Sequence, residues 1–115
     1  MSDCIFCKII EGAIPSQPVY QDEFVYAFRD ITPQTPVHIL VVPKEHIASA
    51  AELTPENSFL AAKCFEVIAK IAKSEGLGDG FRVVTNSGAD GGQTVFHLHF
   101  HLLGGMKLGP GLTGD

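Results

Sequence analysis

A chain of 115 residues with a formal net charge of −5 fits a single globular domain. Its 45% hydrophobic content is enough for a core without disulfides, and three cysteines do not suggest a disulfide framework. Eight basic residues against 13 acidic ones lack the basic patch of a nucleic-acid-binding protein. The apolar run 39–42 is far shorter than the ~20 residues that cross a bilayer. We therefore expect one cytoplasmic domain over 1–115, with neither a secretion signal nor a membrane span.

Hydrophobic periodicity and turn residues divide the chain into two helices and five strands. Apolar residues at helical spacing predict a short helix that Gly12 ends, and the turn-prone pair Asp22-Glu23 predicts a hairpin. Thr54 and Pro55 are typical of the N-cap and first position of a long helix. The predicted elements, in chain order, are a helix over 4–11, strands over 18–21, 24–30 and 37–42, a helix over 55–75, and strands over 81–86 and 95–103.

This order predicts an α+β domain with a mostly antiparallel five-stranded sheet, one long helix and one short helix. The long helix carries apolar residues over a stripe wider than one sheet face covers, which implies a second partner surface. We expect a two-fold homodimer with this helix and the strand over 81–86 near the axis. Residues 104–115 hold five glycines and a proline and predict a partly mobile tail.

Three of the five histidines, His97, His99 and His101, alternate with apolar residues. Side chains alternate between the faces of a strand, so the three imidazoles are expected to share one face while Leu98 and Phe100 enter the core. An ordinary half-exposed strand would be served equally well by valine, threonine or lysine. A row of imidazoles instead offers nucleophiles, proton donors or metal ligands near neutral pH.

A glycine-rich loop over 86–94 directly precedes the histidines. Glycines such as Gly92 let the backbone approach a ligand, and Asn86, Gln93 and Thr94 offer neutral hydrogen-bonding groups. Alone, such a loop is more often a plain turn than a binding loop. Its position before the histidine row favours a cradle for phosphate oxygens.

The pair Cys4 and Cys7 has the spacing of half a tetrahedral zinc site. The alternatives are a redox dithiol, although a thioredoxin-like βαβ pattern is missing, and two buried thiols. Cys64 lies among apolar residues of the long helix and is expected to be a buried thiol. His38 is expected to be a structural histidine with satisfied polar atoms.

Residues 97–103, HLHFHLL, match the signature of the histidine triad family, in which three histidines alternate with apolar residues and a further apolar residue follows. Similarity extends over 5–10, 28–31, 36–46 and 90–93 and is strongest to the Hint-like nucleoside phosphoramidases. The resemblance implies a HIT-like fold paired into a dimer. It also implies that His99 attacks the α-phosphorus of a purine nucleoside 5′-phosphoramidate, giving a nucleotidyl-histidine that water cleaves.

The resemblance assigns the other site residues as well. His101 is the second catalytic histidine, and Asp30 accepts the ribose hydroxyls, although such an aspartate equally often caps a turn. The residues implied around the phosphate are Asn86, Gly92, Gln93, Thr94, His99 and His101. The base pocket falls on apolar residues that would equally well be plain core: Ile5, Phe6, Ile9, Phe28 and Ile31.

The resemblance completes the cysteine pair with His46 and His97, which implies a structural zinc ion on Cys4, Cys7, His46 and His97. Four protein ligands leave no open position for an activated water. A nucleophilic imidazole needs one ring nitrogen free and the other held by an acceptor. For His99 we expect this acceptor to be a backbone carbonyl, for example one of the segment 104–105.

The match departs from the family pattern at three places. Arg29 stands where histidine is frequent, Thr94 stands where serine is frequent, and the tail lacks the tryptophan that many relatives carry there. The leaving-group preference is therefore open. Two other functions also stay open: a dinucleoside polyphosphate hydrolase, and a nucleotide-binding regulatory dimer with little turnover.

Overall fold

The computed structural model describes residues 3–112. Its elements are α1 (Ile5–Ile10), β1 (Pro18–Gln21), β2 (Val25–Arg29), β3 (Val37–Pro43), a 3-10 turn (Ala50–Glu52), α2 (Phe59–Ser74), β4 (Arg82–Val84) and β5 (Phe100–Gly104). The five strands form one sheet in the order β1-β2-β3-β5-β4, and every neighbouring pair is antiparallel. The α+β class, the antiparallel sheet and the presence of one long and one short helix are confirmed.

Strands β2 and β3 are buried on both faces, so the molecule has a separate core on each side of the sheet. Ile39 and Val41 of β3 join the larger core with α2, while Leu40 and Val42 join the smaller core with α1. A continuous apolar run is what such a strand requires. The sheet therefore separates the α2 side of the molecule from the α1 side.

Local side-chain bonds set the ends of the first elements. The Cys4 sulfur accepts a hydrogen bond from the Cys7 N–H at 3.3 Å and caps α1, and Gly12 follows with a φ of 84°. In the β1–β2 turn, Asp22 Oδ1 accepts from the N–H groups of Phe24 and Val25. The predicted short helix and hairpin are both present.

The long helix begins at Phe59, four residues later than predicted from Thr54 and Pro55. The backbone bonds explain the difference, since the N–H groups of Asn57 and Ser58 both donate to the Thr54 carbonyl, whereas the Leu60 N–H donates to the carbonyl of Asn57. These bonds hold residues 55–58 as turns. Periodicity alone does not register such an interruption in the backbone bonding.

The last strand begins at Phe100, so the prediction that His97 and His99 lie within it was wrong. The ladder between β3 and β5 stops at the pair of Val41 with Phe100, and β3 itself ends at Pro43. Proline offers no N–H to a ladder. Its carbonyl accepts from the His97 ring instead, at 2.8 Å.

The alternation of side chains nevertheless continues through this segment. The side chains of residues 98, 100 and 102 are buried in the core on the α2 side. The rings of His97 and His99 contact Phe6 of α1, and the ring of His101 contacts His38. The three imidazoles therefore lie on the α1 side of the sheet, as expected from the sequence.

The opposite end of the sheet carries exposed apolar groups. Strand β4, three residues shorter than predicted, forms an edge of the sheet, and Phe65 and Phe81 are about half exposed. The Arg82 guanidinium donates to the Gly109 carbonyl.

Residues 113–115 of the predicted mobile tail lie outside the described residues, and the tail's mobility stays a prediction. Neither described helix has the length and apolar content that a bilayer span requires.

Candidate active site and metal centre

Hydrogen bonds to backbone carbonyls fix the tautomers of two triad histidines. His97 Nε2 lies 2.8 Å from the Pro43 carbonyl, and His99 Nδ1 lies 2.7 Å from the carbonyl of His97. Because a carbonyl can only accept, each of these ring nitrogens carries the proton. The opposite nitrogens, His97 Nδ1 and His99 Nε2, therefore keep a free lone pair in the neutral rings.

The acceptor for His99 is a backbone carbonyl, as expected, but it belongs to His97 and not to the segment 104–105 given as the example. Gly104 belongs to β5, where it pairs with Val37. The extended backbone before Phe100 brings the His99 ring back onto the carbonyl two residues earlier. A bond between near neighbours in the chain replaces the predicted distant one.

The third triad histidine is oriented by a chain of side chains. The Gln34 N–H donates to His38 Nδ1 at 3.0 Å, so the proton of neutral His38 lies on Nε2. This nitrogen lies 2.9 Å from His101 Nδ1 and 3.3 Å from Asp30 Oδ2. His101 Nδ1 therefore accepts, and His101 Nε2 carries a proton that is free for a ligand.

Burial keeps the rings of His38, His97 and His101 neutral at neutral pH. Desolvation lowers the pKa of His101 to about 4, and the neighbouring His99 and His38 rings act in the same direction. Desolvation likewise lowers the pKa of His97 to about 4 and lowers that of His38. At neutral pH these rings are hydrogen-bond donors and acceptors rather than cations.

Asp30, His38 and His101 lie close enough together to resemble a set of metal ligands. The tautomer of His38 argues against this assignment, because its Nε2 carries the proton where a metal would need a lone pair. His38 is thus satisfied, as expected from the sequence, and it also orients His101. Its backbone partner Gln34 had no sequence signal.

Asp30 caps the turn that follows β2. Its Oδ1 accepts from the Thr32 N–H at 2.8 Å and from the Thr32 hydroxyl at 3.2 Å. This is the turn-capping alternative that we considered. A carboxylate oxygen accepts more than one hydrogen bond, so capping leaves room for a ribose hydroxyl.

The glycine-rich loop is held in place by the buried side chain of Gln93. Its oxygen accepts from the Gly88 N–H at 2.9 Å, and its amide donates to the carbonyls of Ala48 and Val95 at 2.7 and 3.0 Å. These bonds fasten the loop to the segment that leads into the 3-10 turn. The Gln93 side chain therefore positions the loop, while Thr94 is exposed beside it.

Two glycines allow the tight path of this loop. Gly92 has a φ of 85°, a conformation that residues with a Cβ rarely adopt. A Cβ on Gly91 would lie 2.4 Å from the Ser87 carbonyl oxygen. The half-buried Asn86 precedes this turn.

The two cysteines and two histidines of the predicted metal site lie together. The Cys4 sulfur is 3.3 Å from His97 Nδ1, and the Cys7 sulfur is 3.6 Å from the same atom and 3.4 Å from His46 Nδ1. All four potential ligand atoms lie within 4.8 Å of one another. The free lone pair of His97 Nδ1 points at both sulfurs.

These separations fit a tetrahedral ion. Zinc–sulfur and zinc–nitrogen bonds of about 2.3 and 2.05 Å place sulfur and nitrogen ligands roughly 3.6 Å apart. Burial, with a contribution from Cys4, raises the pKa of the Cys7 thiol to about 11 in the chain alone. A cation would favour the thiolate there. Cys64 is buried far from this cluster, as expected, and burial raises its pKa to about 12.

The apolar residues of the predicted base pocket divide into two groups. Phe6, Ile9 and Phe28 are buried in the smaller core, where the rings of Phe6 and Phe28 lie 5.5 Å apart. Ile5 and Ile31 are exposed, Ile31 to 92%. A surface groove of about 740 Å³ lies elsewhere, between the α2–β4 loop and the tail. The histidines do not line it.

Comparison with known proteins gives one consistent result. The family model described as the HIT domain matches residues 11–108. The purine nucleoside phosphoramidase of Escherichia coli strain K12 is 48% identical over 112 residues, 96% of this chain and 94% of the relative. A HIT family hydrolase from Clostridium thermocellum superposes with a TM-score of 0.95 at 45% identity, covering 97% of this chain and 98% of that one. A histidine triad protein from Clostridium difficile has a TM-score of 0.92 at 50% identity, with 95% and 96% covered.

The neutral burial of His101 predicts a loss of stability in acid. The unfolded chain takes up this proton near the ordinary pKa of 6.5, whereas the folded chain takes it up only near 4. The unfolded state binds more protons between these values, so stability falls as the pH is lowered from about 6.5 to about 4. Urea unfolding midpoints between pH 7.5 and 4.5 measure this, and His101→Gln should give a flatter dependence. Equal slopes in the two proteins would contradict the prediction.

Proposed function

Because this chain belongs to the HIT domain family, we propose that it is a hydrolase that binds purine nucleotides and cleaves the P–N bond of nucleoside 5′-phosphoramidates. The observation that carries the proposal is the tautomer of His99, whose Nδ1–H is bound to a carbonyl while Nε2 keeps its lone pair. The printed name of the Escherichia coli relative supports this substrate class.

In the proposed reaction, the Nε2 lone pair of His99 attacks the α-phosphorus and forms a P–N bond to the ring. The original P–N bond breaks, and its nitrogen leaves as an amine with a proton that the Thr94 hydroxyl relays from solvent. Water then attacks the same phosphorus, loses its proton to solvent and releases His99 with its lone pair restored. The product is a nucleoside 5′-monophosphate.

His101 stabilises the charge that develops on phosphorus-bound oxygen. Its Nε2–H is a donor at neutral pH because His38 supplies the hydrogen bond to the other ring nitrogen. A donor whose orientation is set before the substrate binds stabilises a developing oxyanion without further reorganisation. His101 is therefore the second catalytic residue of the proposal.

The remaining contacts bind the nucleotide. Backbone and side-chain groups of Asn86, Gly92 and Thr94 surround the phosphate in the loop that Gln93 holds. Asp30 accepts the ribose hydroxyls. The base lies against an apolar wall formed by Ile5, Phe6, Ile9, Phe28 and Ile31.

We assign the cysteine–histidine cluster to a structural zinc ion held by Cys4, Cys7, His46 and His97. When bound, zinc supplies a cross-link between distant parts of the chain and no open coordination position. The cluster joins α1 to the residues that follow β3 and precede β5. The free thiols agree with a reducing compartment, and we propose the cytoplasm.

We also propose a two-fold homodimer across α2 and β4. Strand β4 is an open edge of the sheet. The half-exposed Phe65 ring of α2 lies 5.1 Å from the Phe100 ring of β5, which is the strand beside β4. Unpaired edges and exposed aromatic rings are features that proteins usually cover. In a two-fold homodimer, the same surface of a second copy of the chain covers these groups.

Replacing His99 by alanine should lower turnover of an adenosine 5′-phosphoramidate by roughly 10⁴-fold or more, because the nucleophile is lost. The variant should still bind adenosine monophosphate in calorimetry. Single-turnover reaction of the native protein with labelled substrate, quenched and mapped by mass spectrometry, should place the nucleotidyl group on His99. Label on His101 would overturn the assignment. Faster turnover of diadenosine polyphosphates than of phosphoramidates would instead favour the dinucleoside polyphosphate hydrolase.

The protein purified without chelators should hold about one zinc ion per chain, and chelation should lower its melting temperature by more than about 10 °C. Metal analysis of two matched variants tests the ligand set. Cys4→Ala should lose the metal, whereas Cys64→Ala, which removes a buried thiol outside the cluster, should retain it. Equal zinc content in both variants would reject the site.

Light scattering at micromolar concentration should give twice the mass of one chain. Phe65→Glu should shift the protein toward the monomer, because it places a charge in the proposed interface. Leu112→Glu makes a similar change at a fully exposed residue and should leave the dimer intact. A monomeric native protein would remove the proposal.

A further inference from the structure

Phe6 occupies a central place among the rings of the site. It lies between Cys4 and Cys7 in the sequence and is 7% exposed. Its ring meets His99 edge to face, with centroids 5.0 Å apart and planes at 89°. It also lies 6.0 Å from the His97 ring at an angle of 67°. One α1 side chain thus contacts both the nucleophile and a metal-site histidine.

The hydrogen bond to the His97 carbonyl does not by itself orient the His99 ring. A single bond at Nδ1 leaves the ring free to tilt about that contact, and the tilt sets where Nε2 points. The rings that limit the tilt are those of Phe6 and His101, each with its centroid 5.0 Å from that of His99. Displacing a reacting atom by about 1 Å costs as much as 10²-fold in rate.

We propose that Phe6 is a positioning residue for His99, and that the Cys4/Cys7/His46/His97 cluster holds Phe6 in that position when it binds its metal. The inference rests on the proposed role of His99 as nucleophile. It adds a second duty to the cluster. Through Phe6, the cluster controls the direction of the lone pair on His99 Nε2.

The shortness of α1 explains why its position needs the cluster. The helix has six residues, and helices shorter than about 12 residues are marginal without tertiary contacts. Its buried side chains are Phe6, Cys7 and Ile9. One of these three is itself a cluster ligand, and Cys4 is the helix cap. Loss of the metal therefore releases the two residues that bracket Phe6.

This role differs from that of an apolar wall for the base. Leucine would serve as a wall, but it has no ring to pack edge to face against an imidazole. The two roles therefore separate in kinetics. A wall affects nucleotide affinity, whereas a positioning contact affects the rate of attack.

The first test compares Phe6→Leu with Ile10→Ala. Ile10 lies on the same helix and packs against the same core but is not among the ring neighbours of His99. Phe6→Leu should lower kcat on an adenosine phosphoramidate about tenfold. It should change the affinity for adenosine monophosphate less than twofold, and Ile10→Ala should leave kcat unchanged. Equal effects of the two variants on kcat would overturn the proposal. Phe6→Met, a second apolar replacement without a ring, repeats the comparison if Phe6→Leu does not fold.

The second test does not depend on turnover. In the zinc-loaded native protein labelled with ¹⁵N-histidine, NMR should show His99 as one sharp Nδ1–H species. Phe6→Leu should broaden or split that signal while Ile10→Ala does not. An unchanged His99 signal in Phe6→Leu would overturn the positioning role even if the protein is an active phosphoramidase. If the native protein lacks turnover, the proposed function fails while this spectrum still decides the role of Phe6.

The third test asks whether the metal acts through Phe6. Removing zinc from the native protein with a chelator, at a temperature where it stays folded, should broaden the His99 signal as Phe6→Leu does. Removing zinc from Phe6→Leu should then add little, because two changes in one coupled path are not additive. Fully additive effects would show that the metal does not act through Phe6.

Discussion

The hydrogen bond from His99 Nδ1 to the carbonyl of His97 is the interaction on which the geometry of the candidate active site depends. A backbone carbonyl does not titrate and has no rotamer to change, so it is a constant acceptor. The same residue offers its side chain to the cysteines. His97 therefore connects the candidate nucleophile with the candidate metal centre through a single residue.

Crowding of the His38, His97 and His101 rings is tolerated because burial lowers the pKa of each and keeps these three rings neutral at neutral pH. A neutral imidazole has one donor and one acceptor nitrogen. The Gln34 N–H bonds to one nitrogen of His38, and the Pro43 carbonyl bonds to one nitrogen of His97. Burial lowers the pKa of His101 to about 4, which removes the repulsion that charged rings would experience at neutral pH. The cost of this arrangement is a domain whose stability depends on the absence of protons at these sites.

The bounds of an element were predicted best where its hydrophobic pattern had a single physical cause, such as burial on both faces. The apolar run of β3 lies between two cores, and its prediction held to within one residue. The start of α2 was missed because the backbone bonds from Asn57 and Ser58 to Thr54 close a separate turn before the helix. The start of β5 was missed because the alternation of side chains continues beyond the point where the ladder with β3 ends. Periodicity reports which face a side chain takes, but not whether a neighbour pairs with the backbone.

The candidate site was predictable to the extent that side chains define it. The cysteine–histidine group came from the family resemblance, and the structure brings its four members together. The backbone acceptors carried no signal, since any residue has a carbonyl. Gln93 was assigned by resemblance to the surroundings of the phosphate, and its amide proves to be bonded to three backbone groups. Such positioning roles become visible only when distant segments are seen in contact.

The early end of the ladder at Pro43 has a consequence for how this chain can be altered. A residue with an N–H at position 43 would allow β3 and β5 to pair further, which would make the sheet more regular. That extension would compete for the Pro43 carbonyl that now orients His97, and it would draw the segment before Phe100 into a flat strand. A more regular sheet at this place would therefore change the candidate site, so the proline limits how far stabilising changes can go before they alter the orientation of His97.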